Sequence, residues 1–332
     1  MTTEIRQDKV TKEWVIFSQA RSKRPQDFQG PEKSVEDPPE HDGECPFCPG
    51  NEDELGTILA EREGDNEHGW QTRVIPNKFP ALVPEGDLRR RRRGPYLTLD
   101  GYGRHEVVID SPFHDRDLAD LDSRALGAVV ETYHRRYLTY GEQYPGMTPI
   151  IFRNHGPRAG TSLVHPHSQA VVTPVPPREV RERELRAQEH WDMMGRCVFC
   201  EVVEHELEEK TRVVLDDDRF CVLVPFAAKV PFEMWIIPRE HRPDFGTASP
   251  EDLANLTRAL GHVLRRLKEK LGDPDYNFAF FTAARTGREQ PHLHWYLLVR
   301  PRLTTRAGFE VGSGMEINPS VPEEDAAYLR EG

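Results

Sequence analysis

The residues of this chain best equipped for chemistry are cysteines and histidines, and they recur in a regular order. The first half carries Cys45-x-x-Cys48, then His114, then His165-Pro166-His167. The second carries Cys197-x-x-Cys200, then His241, then His292-Leu293-His294. The step from the single histidine to the His-x-His pair is 51 residues in both halves, so one offset of 127 brings His114, His165 and His167 onto His241, His292 and His294. A Cys-x-x-Cys turn supplies two thiolates to a tetrahedral metal ion, and two histidines from distant chain can complete it. The expected ligand sets are Cys45, Cys48, His114 and His165 for one zinc ion, and Cys197, Cys200, His241 and His292 for a second. His105 or His155 could stand in for His114. Cys221, within the apolar run FCVLV, reads as a small buried hydrophobe.

His167 is the candidate nucleophile. Residues i and i+2 of a strand face the same way, so His165 can be held by metal while His167 faces a substrate. A neutral imidazole whose one nitrogen donates to a carbonyl presents the lone pair of the other for in-line attack at phosphorus. Ser162, Ser168 and Gln169 lie in the same stretch, NHGPRAGTSLVHPHSQ, and are suited to hydrogen-bonding phosphate oxygens as charge gathers there. Pro166 has no N–H, so this backbone should not be a regular central-strand position. The competing reading makes His167 a hydrogen-bonded neighbour of the metal ligands. The second copy, His292-Leu-His-Trp-Tyr, has apolar and aromatic neighbours instead, which makes the first half catalytic and the second structural.

These residues need a repeated scaffold to position them. The same offset pairs Glu106 with Glu233, Ile109 with Ile236, Asp117 with Asp244 and Gly160 with Gly287, as an internal duplication would. Strands are expected over 105–110, 149–152 and 163–172, and again over 232–237, 277–281 and 292–299. Helices are expected over 117–140 and 249–271, the latter opened by Ser249 as N-cap and Pro250 in the first turn. The fold class is α+β: two tandem histidine-triad-like repeats, residues 1–180 and 181–332, each an antiparallel sheet with a long helix. Residues 174–196 read as a charged, proline-punctuated connector, partly helical, and 22–44 and 84–95 as loops, with Arg89–Arg93 a solvated charge run.

The 332 residues suffice for one large domain or two smaller ones. A net charge of -12 argues against a protein that grips nucleic acid, which needs clustered cations. No apolar stretch could span a bilayer and the N-terminus lacks a secretory core, so a cytoplasmic location is expected.

The segment His165-Pro-His-Ser-Gln169 resembles the galactose-1-phosphate uridylyltransferase family, a branch of the histidine-triad superfamily. The likeness extends through Trp14-Val-Ile, Arg21-Ser-Lys-Arg24-Pro, Cys45-Pro-Phe-Cys48-Pro-Gly-Asn, Asn77-Lys-Phe79, His114 and Asn154. Near the end it includes His292-Leu-His294 and Gly308-Phe-Glu-Val-Gly-Ser-Gly314. The resemblance implies a ping-pong reaction in which UDP-glucose gives UMP to His167 and galactose 1-phosphate then collects it. It also implies that Gln169 and Ser162 hold the α-phosphate, that Asn77, Asn154 and Ser168 belong to the substrate site, and that Phe309 and Val311 line the hexose pocket. Arg21 and Arg24 would reach phosphate groups from the partner subunit of a homodimer.

The sequence departs from the family pattern in two places. Many members carry glycine where Ser168 stands, and some bind iron at the second site through a glutamate and three histidines, whereas Cys197 and Cys200 favour zinc. Ser168, two zinc knuckles and the GFEVGSG tail also resemble plant-type ADP-glucose phosphorylases, the alternative enzyme reading. A histidine-triad hydrolase is a third, although those chains are usually shorter. A zinc-knuckle binding module without catalysis is the reading from another class. The step of 66 residues from Cys48 to His114 and the acidic balance weigh against it.

Overall fold

Ten strands build one antiparallel sheet. In the first half they are β1 (Ala60–Glu63), β2 (Trp70–Pro76), β3 (Arg104–Ile109), β4 (Thr148–His155) and β5 (His167–Thr173). In the second they are β6 (Val213–Asp216), β7 (Phe220–Leu223), β8 (Met234–Pro238), β9 (Tyr276–Phe281) and β10 (Tyr296–Pro301). Their order across the sheet is β6-β7-β8-β10-β9-β4-β5-β3-β2-β1, so each half has the same internal order reflected about a seam between β4 and β9. At that seam Asn154 lies opposite Asn277 and His155 opposite Tyr276. The coordinates are a computed structural model describing residues 3–18, 25–28, 38–285 and 289–331.

The helices are α1 (Ser123–Gln143), α2 (Arg178–Met194), α3 (Val198–Glu209), α4 (Pro250–Leu271), α5 (Gly308–Ser313) and α6 (Pro322–Arg330). Asp122 caps α1 by accepting from the N–H groups of Arg124 and Ala125. Ser249 and Asp252 form a reciprocal capping box on α4, with Pro250 in the first turn. Both long helices pack on one face of the sheet, where Val74, Val108, Ala170, Phe278 and Val299 meet Val129, Tyr133, Leu256, Leu260 and Val263. Each fully buried leucine or valine there contributes roughly 1.5–3 kcal/mol.

The opposite face is treated differently in the two halves. In the second half α2 and α3 cover it, burying Cys221, Leu223, Trp235, Tyr296 and Leu298 against Ala187, Val198 and Phe199. In the first half the described residues form a smaller cluster, with Cys45, Phe47 and Cys48 over Ile75, Val107 and Ile109. Strands Glu4–Gln7, Trp14–Phe17 and Glu316–Asn318 make a separate small sheet.

Several expectations change here. The stretch 174–196 is mostly the helix α2, and the arginine run forms a short hairpin, Arg91–Arg93 with Tyr96–Thr98, whose side chains are exposed. The single offset of 127 fails within the sheet. Ile109 lies opposite His167, but Ile236, 127 residues later, lies opposite Leu297 rather than His294. The two halves are therefore related by offsets that differ between strands.

Candidate active site

Each Cys-x-x-Cys knuckle meets two histidines. In the first half Cys48 Sγ lies 3.4 Å from His114 Nδ1 and 3.6 Å from His165 Nδ1. In the second, Cys200 Sγ lies 3.3 Å from His241 Nδ1 and 3.6 Å from His294 Nδ1. Within each set of four, the ligand atoms fall within 4.8 Å of one another. A tetrahedral ion with ordinary metal–sulfur and metal–imidazole bonds would hold S and N about 3.6 Å apart, so both donor sets fit a four-coordinate metal. The histidine pairs repeat each other's geometry, with ring centroids 5.3 Å apart at 80° and 5.4 Å apart at 83°.

The second set corrects one expectation: it contains His294, not His292. The ligand histidine stands two residues before the strand in both halves, His165 before β5 and His294 before β10. His292 is farther out and offers its carbonyl to the Cys197 thiol at 3.6 Å. His105 and His155 are not ligands. His105 bonds Gln169, and His155 pairs with Asp117 and Asp273 and stacks on Tyr276.

His167 opens β5, directly after Pro166, whose carbonyl accepts from the Asp110 N–H at 3.0 Å. Its Nδ1 lies 2.9 Å from the His165 carbonyl, which can only accept, so Nδ1 carries the proton and Nε2 the free lone pair. Burial holds the ring below the usual imidazole pKa; the His165 hydrogen bond opposes that and the nearby Arg153 cation adds to it. Phe47 packs edge-on against it at 5.5 Å. His167 as a residue is 7% exposed, and strand alternation turns it to the face that α1 and α4 leave free.

Gln169 follows on the same face. The Ala81 N–H donates to His105 Nδ1 at 3.0 Å, which makes His105 Nε2 the donor to Gln169 Oε1 at 2.8 Å. Asn77 Nδ2 approaches the same oxygen at 3.4 Å, so the Gln169 carboxamide oxygen is engaged by the protein. Asn154 belongs to this face too. The β4–β5 register sets Phe152 opposite Gln169 and Arg153 opposite Ser168, and its next step sets Asn154 opposite His167.

Ser168 departs from the phosphate-facing role expected of it. Strand alternation turns it to the helix-covered face, where it is fully buried, donates to Asp110 Oδ2 at 2.8 Å and meets Tyr133 Oη at 2.5 Å. Ser162 is exposed in the loop before β5. Phe309 and Val311 stand 48% and 71% exposed on α5, and no described hydrogen bond or ring contact joins them to His167. Arg21 and Arg24 lie outside the described residues.

Sequence reasoning missed the charged support beneath the site. Arg153, buried on the helix side, donates to the His167 carbonyl at 3.0 Å and pairs with Asp110 and Asp117. Burial pushes the Asp110 carboxyl up to about 6, against the pull of Arg153, Ser168 and Tyr133. Asp117 is held well below its ordinary value, since Arg153 and His155 outweigh its burial. The partners are 43 and 36 residues apart in sequence, and no motif announces them.

A paired antiparallel sheet, two metal-type knuckles and a neutral histidine at a strand start define a protein of the histidine-triad type, and a HIT domain model matches residues 206–303. The model described as galactose-1-phosphate uridyl transferase, N-terminal domain, matches residues 1–177, and the chain belongs to that family of nucleotidyltransferases. ADP-glucose phosphorylase of Arabidopsis thaliana is 37% identical over 333 residues, covering 99% of this chain and 92% of the relative. Galactose-1-phosphate uridylyltransferase of Thermotoga maritima is 30% identical, over 99% of this chain and 98% of its own. Among solved structures, the Arabidopsis ADP-glucose phosphorylase with bound ADP-glucose superposes with a TM-score of 0.84 at 34% identity, covering 100% and 99% of the two chains. A uridylyltransferase gives 0.76 at 27%, covering 99% and 97%.

Proposed function

We propose that the protein moves a nucleoside monophosphate from a nucleoside diphosphate sugar to an acceptor phosphate, through a covalent adduct on His167. The observation that carries this reading is the orientation of that ring: Nδ1 is committed to the His165 carbonyl, and Nε2 is free on the face shared with Gln169 and Asn154. Nε2 attacks the α-phosphorus, the bond to the sugar phosphate oxygen breaks, and the sugar 1-phosphate leaves with the electron pair. The positive charge gained by the ring is stabilised through Nδ1–H and the carbonyl. An acceptor phosphate oxygen then attacks the same phosphorus, the P–N bond breaks, and the neutral imidazole returns.

The higher identity and TM-score toward ADP-glucose phosphorylase favour AMP as the group carried, with ADP-glucose as donor and inorganic phosphate as acceptor. The exchange between UDP-glucose and galactose 1-phosphate, suggested by the HPHSQ motif, is the second reading, supported by the uridylyltransferase relatives. Zinc is the ion proposed for both knuckles, because two thiolates with two imidazoles are a closed structural zinc set; when bound it fixes the strand entrances that present His167. Arg21 and Arg24 are proposed to reach phosphate groups from the partner subunit of a homodimer, and Phe309 and Val311, both exposed on α5, to line the hexose pocket. A cytoplasmic location is part of this proposal; among the described residues no helix is long and apolar enough to cross a membrane.

The test is intact mass after incubation with ADP-glucose or UDP-glucose alone, followed by discharge with phosphate or galactose 1-phosphate. An AMP adduct discharged by phosphate supports the favoured reading, and a UMP adduct discharged by galactose 1-phosphate supports the second. Absence of any adduct would leave the metal-knuckle binding module as the better account.

A further inference from the structure

Asn154 faces the nucleophile from β4, but its carboxamide could point either way, and the two ends have opposite hydrogen-bonding character. Its orientation is forced from the other half of the molecule. Arg302 Nε lies 2.5 Å from Asn277 Oδ1, and a guanidinium can only donate. Asn277 Nδ2 lies 2.9 Å from the carbonyl of Ala159, which can only accept. These two one-way partners fix Asn277 with its oxygen toward Arg302 and its NH2 toward the first half. That NH2 also lies 2.8 Å from Asn154, so the atom it meets must be Oδ1, and Asn154 is left presenting its own NH2.

The same segment clamps the loop leading to Ser162. Asp275 accepts from the Arg158 N–H at 2.6 Å, and Gly156, at φ +81°, packs so closely on that carboxylate that a Cβ would sit 2.2 Å from Oδ1. Arg302 is tied back to Asp275 through a backbone bond of 2.7 Å.

We infer that Asn277 and Arg302 are positioning residues for the nucleotide sugar: they set Asn154 to act as a hydrogen-bond donor to a phosphoryl oxygen beside His167. The inference rests on the proposed transfer reaction and adds a task for the second half, which orients a binding group of the first. Asn277→Asp keeps the acceptor for Arg302 but removes the donor, so Asn154 should turn and offer its carbonyl to the phosphate. A buried or half-buried donor replaced by an acceptor against an anion typically weakens recognition strongly.

The experiment follows His167 adduct formation at varied ADP-glucose in the wild type, Asn154→Ala, Asn277→Asp and the double variant, with thermal midpoints recorded alongside. Asn277→Asp should raise the half-saturating concentration about tenfold or more. It should add less than about twofold in the Asn154→Ala background, because its effect runs through that side chain. Arg302→Met, a change at an exposed residue, should raise it about threefold with the midpoint unchanged and serves if Asn277→Asp does not fold. Effects that multiply independently of Asn154, or an unaltered half-saturation in Asn277→Asp and Arg302→Met, would overturn the assignment. A wild type that acquires no nucleotidyl group overturns the proposed function and this assignment together, so the two failures are distinguishable.

Discussion

The two halves of the sheet share strand order, helix placement and knuckle geometry, and they differ in what stands on one face. His294 occupies the place of His165, so the residue two positions on, the counterpart of His167, is Tyr296. In β9 and β10 Tyr296 lies opposite Phe281, as Asn154 stands to His167, and Leu298 takes the place of Gln169. Tyr296 is fully buried beneath α2, with the Arg183 guanidinium 3.7 Å from the Phe281 ring. One half has spent its free face on packing and the other keeps polar groups there. The comparison teaches that the knuckle geometry is common to both halves, and that what differs is the residue two positions after the ligand histidine and, among the described residues, the helix pair that covers only the second half.

The largest contrast is expected at the paired positions themselves. His167→Gln should lower turnover by about 10⁴-fold or more, as loss of a covalent nucleophile does. Tyr296→Phe should leave turnover within about threefold, because that hydroxyl faces no substrate. Steady-state rates on nucleotide sugar measure both, and comparable losses would break the asymmetry.

The knuckles should separate stability from activity. Cys45→Ser and Cys197→Ser should each lose about one metal equivalent and lower the thermal midpoint by on the order of 10 °C, since structural metal binding is folding free energy. Only Cys45→Ser should also slow adduct formation, because its knuckle holds the strand that begins at His167. Metal analysis beside calorimetry and the adduct assay checks this; unchanged metal content in Cys45→Ser would remove the first ligand set.

A smaller effect belongs to the seam. Burial disfavours the charged His155 ring, but Asp117 and Asp273 outweigh it and push its pKa up to about 9 from 6.5. A raised histidine contributes stability that is fully present below about pH 6.5 and is lost as pH rises through about 9. His155→Phe, which keeps a ring over Tyr276, should therefore cost on the order of 3 kcal/mol at pH 6 and much less at pH 10. Denaturant unfolding at both pH values measures it, and a pH-independent cost would contradict the pairing.

Much of this was legible from sequence, for identifiable reasons. The Ser249-Pro250 start of α4 carries its own capping chemistry, and β8 and β10 are apolar runs that only a buried strand accommodates. The first ligand set was legible because two thiols and two histidines can converge on one ion. What escaped depends on register and on distant partners. The halves are offset by 127 residues at His114 and His241 but by 129 at His165 and His294, and that two-residue difference, which moves the second ligand from His292 to His294, is not revealed by a list of spacings. Strand alternation sent Ser168 away from the face of His167, although Ser-Gln reads as one polar pair. β1, with sequence AERE, is half exposed and too charged to advertise itself as a strand. Arg153 and Asn277 acquire their roles only when the seam brings strands from both halves side by side.

The most direct measurement is the site of attachment. After brief incubation with labelled ADP-glucose or UDP-glucose, mild digestion and fragmentation mass spectrometry should find the nucleotidyl group on the imidazole of His167 and on no other histidine. A nucleotidyl group on another residue, or turnover with a retained rate in His167→Gln, would contradict the account.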